Sequence, residues 1–99
     1  MTVVKTWNDT ANIVIEASGH ATGNQDVCSA VSALLLSFKA YLEAYGESFS
    51  IQQSDAYLKI VCNSSEMTDP AFNMIVCGLR AMQGSYPEYL QLLEGHLTL

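Results

Sequence analysis

The stretch NIVIEASGHATGNQDVCSAVSALLL, residues 12–36, changes its hydrophobic period halfway along. In its first part Ile13, Ile15 and Ala17 alternate with Asn12, Val14, Glu16 and Ser18, the two-residue repeat of a strand with one buried face. Gly19 then frees the chain to turn. From Asp26 the repeat lengthens. Val27, Val31, Leu34, Leu35, Phe38, Leu42 and Tyr45 follow the spacing of a helix that Gly46 terminates. Ala30, Ala33 and Leu36 fill the faces between, so this helix is expected to be buried on more than one side, against a sheet and a second subunit.

Upstream, Val3–Trp7 is a second β-prone run, and the turn formers Asn8-Asp9-Thr10-Ala11 join it to Asn12–Ser18 as an antiparallel hairpin. Downstream, Phe49–Gln53 and Tyr57–Cys62 form another strand pair around Ser54-Asp55, with Phe49 and Ile51 on one face, then Leu58, Ile60 and Cys62. Thr68-Asp69-Pro70 starts a second helix by placing an acceptor side chain ahead of a proline. Phe72, Ile75, Val76, Leu79 and Met82 continue it until Gly84. Pro87–Leu93 reads either as a short helical turn or as a final strand. The expected fold is α+β: one domain over residues 1–99, in the order ββαββα, with a small antiparallel or mixed sheet packed against two main helices.

The chain has 99 residues, 49% apolar and 14% charged, enough for one core and apolar enough to expect a homodimer. A net charge of −6 with four Lys and Arg argues against direct nucleic-acid binding and favours a basic protein or peptide partner. No run approaches the roughly 18 uninterrupted apolar residues of a membrane span, since Ser32, Ser37 and Lys39 interrupt the richest stretch. Three cysteines in no regular spacing, without a secretory leader pattern, point to reduced thiols and a cytoplasmic location. No cofactor and no metal are expected.

His20 falls in the first turn after the second strand and Cys28 in the first turn of the long helix. A thiol there feels the positive end of the helix dipole, and a neighbouring imidazole would strengthen its thiolate character. The N–H groups of the helix start would also face a carbonyl under attack, as an oxyanion site. Spacing alone leaves an ordinary alternative open, a small core cysteine and a polar turn histidine.

Gly19-His20-Ala21, then Gly23, then Val27-Cys28-Ser29-Ala30-Val31-Ser32-Ala33-Leu34, resembles the signature of the ribosomal-processing cysteine proteases, the Prp family. Gly78-Leu79 and Tyr86-Pro87-Glu88-Tyr89 are similar to that family's C-terminal pattern. The resemblance implies a homodimeric cysteine endopeptidase that removes the N-terminal extension of large-subunit ribosomal protein twenty-seven, or of a related phage or structural precursor. It places the nucleophile on Cys28, the base on His20 and a supporting hydroxyl on Ser32, one helical turn from the sulfur, where helix packing is the ordinary alternative. Gly19 belongs to the same motif.

Two departures qualify it. The loop between His20 and Cys28 is shorter than in typical members. With the two glycines matched, Gln25 also stands where the family has aspartate, and Asp26 lies one place nearer the cysteine. Asp26 is expected to cap the helix, and its charge opposes thiolate formation. These departures keep alive an alternative, a weak or inactive dimeric adaptor of the same fold that binds a basic ribosomal or capsid precursor. Cys62 and Cys77 read as buried packing residues, and a zinc site shared with His20 and Cys28 lacks any C-x-x-C knuckle. His96 reads as a solvent-exposed residue. The tyrosines at 41, 45, 57, 86 and 89 read as core and interface residues, and the carboxylates as a solvated surface with some members flanking a cleft.

Overall fold

The computed structural model describes residues 1–21 and 23–95, so His96 lies outside the described residues. The elements run β1 (Thr2–Asn8), β2 (Asn12–Ser18), α1 (Gln25–Ala44), β3 (Phe49–Ser54), β4 (Tyr57–Asn63), α2 (Thr68–Ser85) and β5 (Leu90–Gly95). They form one mixed sheet in the order β3-β4-β2-β1-β5, antiparallel throughout except for the parallel pair β1 and β5. The expected α+β class holds. The undecided tail is a strand, because Leu90–Gly95 finds the free edge of β1 and pairs with it from Thr2 to Trp7.

The two-residue alternation fixes which face is covered. Val4, Ile13, Ile15, Ala17, Ile60, Cys62, Leu90 and Leu92 enter one core with the helix stripes Val27, Val31, Leu35, Phe38, Leu42 and Phe72, Ile75, Val76, Leu79. α2 packs against α1 and β5. A Cβ on Gly78 would stand 3.3 Å from a Leu34 methyl carbon, so the absent side chain is what lets the helices approach this closely. On the opposite face Lys5, Glu16 and Lys59 are cross-strand neighbours, beside a second row of Trp7, Val14 and Val61.

Three expectations are corrected. α1 begins at Gln25 and is capped by Asn24, whose Oδ1 accepts the Val27 N–H at 3.2 Å, so Asp26 lies inside the first turn and does not cap. At the start of α2 the Ser65 hydroxyl accepts the N–H groups of Met67 and Thr68, while Thr68 donates its own hydroxyl to the Asn63 carbonyl at 2.7 Å. Cys62 is buried as expected, but Cys77 is exposed, because it falls outside the stripe of Phe72, Ile75, Val76 and Leu79.

Tyr45 and Tyr86 are likewise exposed, and the Tyr45 ring lies against that of Tyr41. α1 is also long and apolar enough, by length and composition, to cross a membrane. Its inward stripe is committed to the sheet, and Ala30, Ala33 and Leu36 on its outward side remain exposed within the single chain.

Candidate active site

The loop between β2 and α1 carries His20, and it is shaped by the backbone. Gly19 has φ +84°, and a Cβ there would meet the Met1 carbonyl oxygen at 2.5 Å, so only glycine fits where β2 turns away from β1. Its N–H is tied to the Ala56 carbonyl at 2.9 Å, in the tight turn between β3 and β4. Ala21 is buried, its carbonyl accepts the Asn24 N–H at 2.9 Å, and its N–H donates to the Cys28 Sγ at 3.1 Å. An N–H aimed at sulfur stabilises negative charge there.

Cys28 is half-buried, one turn into α1, and His20 is exposed. Two hollows meet at this pair. One is a cleft of about 210 Å³ that runs between α1 and the end of the sheet. Thr2 and Ala17, with Gln53, Tyr57 and Leu58 of the β3–β4 hairpin, form its sheet side, and Val31, Ser32, Leu35 and Leu36 form its helix side. The other hollow is lined by Ala21, Gly23, Asn24 and Gln25. His20 and Cys28 are the two residues common to both linings. A chain laid from one hollow into the other would therefore pass His20 and Cys28.

Of the residues singled out in the sequence, Cys28, His20, Ser32 and Gly19 all line the cleft, whereas Asp26 lines neither hollow. Among first-turn donors the Val27 N–H is used by the cap and the Cys28 N–H reaches the Asn24 carbonyl at 3.4 Å. The N–H groups of Gln25 and Asp26 have no acceptor within the helix by position. The expected oxyanion donors thus narrow to these two.

Cys62 and Cys77 stand apart from both hollows. Burial pushes the Cys62 thiol up to about 11, reinforced by the negative charges of Glu47 and Asp69. The sequence did not reveal Thr2, Gln53 or Tyr57, which reach the cleft from strands remote in sequence. The Tyr57 hydroxyl is already engaged, donating to Glu16 at 2.6 Å. Asn24 did carry a readable signal, an Asx side chain three residues before the first buried helical position.

A cysteine near the start of a core helix, with a histidine lining the same cleft, supplies the residue types that a small α+β cysteine protease uses. The sequence matches the family described as Cysteine protease Prp over residues 1–91. The chain belongs to this family. Its fold is similar to that of the essential ribosomal processing protease Prp from S. aureus in complex with a covalently linked product peptide, with TM-score 0.82, 19% identity, and coverage of 96% of this chain and 100% of that one. The S. aureus protease in complex with a substrate peptide gives TM-score 0.78 at 18% identity, over 96% and 100% of the two chains. A Streptococcus mutans protein gives TM-score 0.76 at 20% identity, over 97% and 95%. No curated protein matches the chain.

Proposed function

We propose that this cysteine protease removes the N-terminal extension of a basic ribosomal protein, with large-subunit ribosomal protein twenty-seven as the candidate substrate, and that Cys28 and His20 carry the chemistry. The observation behind the residue assignment is the saddle, where among the described residues this pair alone borders both hollows and the Ala21 N–H addresses the sulfur. The substrate class rests on family membership and on the S. aureus relatives, which are ribosomal processing proteases. A charge of −6 suits a basic partner, and Asp55 stands between cleft residues Ser54 and Ala56.

In this reading the Cys28 thiolate forms a bond to the scissile carbonyl carbon, and the carbonyl π electrons move onto oxygen. The N–H groups of Gln25 and Asp26 are the donors available to that oxyanion. Collapse of the intermediate breaks the C–N bond as His20 passes its proton to the leaving amine. A thioester remains. Water, losing a proton to His20, then attacks it and releases the acid and the thiolate. Ser32, one turn along the same helix, offers its hydroxyl to the bound chain.

Incubation with a peptide spanning the extension, read by mass, tests the proposal. Cleavage that falls at least about a thousandfold in Cys28→Ala is the expected result. Tight binding without cleavage would identify the adaptor instead.

The proposal includes a homodimer, with a second copy covering the exposed Ala30 and Ala33 on α1. Light scattering should show a dimer that Ala33→Asp converts to a monomer. It also includes a cytoplasmic setting, which the three free thiols suit.

A further inference from the structure

Two polar groups on the cleft lack partners. Thr2 is 5% exposed, and its hydroxyl, shielded from solvent, has no hydrogen-bond partner. The His20 side chain makes no hydrogen bond among the described residues either. A buried hydroxyl without a partner is unfavourable, and native folds leave few of them unsatisfied.

Thr2 is held on both sides. Its N–H donates to the Tyr89 carbonyl at 2.9 Å, it pairs with Leu90, and its Cα lies 3.9 Å from where a Gly19 Cβ would be. Gly19 is bonded to His20, so Thr2 and His20 border the cleft at the same end. The other polar liners stand on other elements or are already engaged. Gln53 and Ser54 belong to β3, which β4 and β2 separate from β1. Tyr57 is engaged by Glu16, and Ser32 lies a turn beyond Cys28. An exposed imidazole with no bond to break turns about its side-chain torsions at little cost.

We propose that Thr2 positions His20. One ring N–H donates to Thr2 Oγ1, which fixes the tautomer and leaves the other ring nitrogen facing Cys28. Thr2 touches neither sulfur nor substrate in this arrangement, and it acts through the ring. The inference rests on His20 being the base of the proposed reaction.

The test joins nitrogen NMR of the His20 ring with steady-state cleavage of the extension peptide, in the wild type, Thr2→Val and Thr2→Ser. The expected result is one tautomer in the wild type and Thr2→Ser, and a mixture in Thr2→Val. Thr2→Val should lose about tenfold in kcat at unchanged KM and melt no lower than the wild type, while Thr2→Ser stays within about twofold. Wild-type ring signals and kcat in Thr2→Val would overturn the inference, as would a Thr2→Ser variant impaired as much as Thr2→Val. A wild type that cuts no peptide would overturn the proteolytic reading, and the ring signals would still decide the role of Thr2.

Discussion

The Met1 carbonyl oxygen occupies the space where a side chain on Gly19 would begin, 2.5 Å from the Cβ position. The φ of +84° adds a second reason for glycine. Gly19→Ala must therefore either push β1 outward or re-aim the loop that carries His20. The expected cost is about 1–3 kcal/mol, a loss of several degrees in Tm, together with at least about a tenfold drop in cleavage. Thermal melts and the peptide assay check both.

The three cysteines should separate by reactivity. Cys28 is addressed by the Ala21 N–H and borders two hollows, Cys77 is exposed on α2, and Cys62 is buried with its thiol raised to about 11. At neutral pH the protonated form of Cys62 dominates, because the pH lies far below that value. Relative to a thiol at its ordinary value, its thiolate fraction is lower by about a hundredfold. Timed alkylation of the native protein, read by mass, should label Cys28 first, Cys77 next and Cys62 last.

Removing the α1 cap tests whether the helix start holds the site. Asn24→Ala deletes the acceptor for the Val27 N–H and should cost about 1 kcal/mol, and Asn24→Asp should restore most of it. Denaturant melts give the energy. Cleavage should fall with the same ranking, because a first turn without its cap frays where it carries Cys28.

Two surface groups set the pH limits of stability from opposite sides. The Tyr57 phenol is raised by its hydrogen bond to Glu16, with desolvation and the carboxylate charge adding to the effect. Its contribution is present below the usual tyrosine range and is lost as pH rises through the raised value. Asp9 is lowered by the N–H groups of Asn12 and Ala11. Its contribution is present above the usual carboxylate range and is lost as pH falls through the lowered value. Tyr57→Phe should flatten the alkaline arm of a melting-temperature profile, and Asp9→Ala the acid arm.

Much of the fold was legible because its signals are local. The alternation of Ile13, Ile15 and Ala17 and the stripe from Val27 to Leu42 each need only a few consecutive residues, and the buried positions match them. β5 was not legible, because Leu90 and Leu92 are too few to establish a period and the strand is decided by the free edge of β1. Cys77 was misread since an apolar neighbourhood does not fix an angle around the helix axis. At the candidate site, Cys28 and His20 were singled out through their flanking motif, while Thr2 comes to the cleft and the Ala21 N–H to the Cys28 sulfur through strand pairing and chain turns that no residue type announces.

The parallel pairing of β1 with β5 joins the beginning of the described chain to its end, and the Thr2 N–H is held by Tyr89. The two ends of the described chain therefore stand or fall together, because loss of β5 would strip the edge of β1 and release the Thr2 backbone in one event.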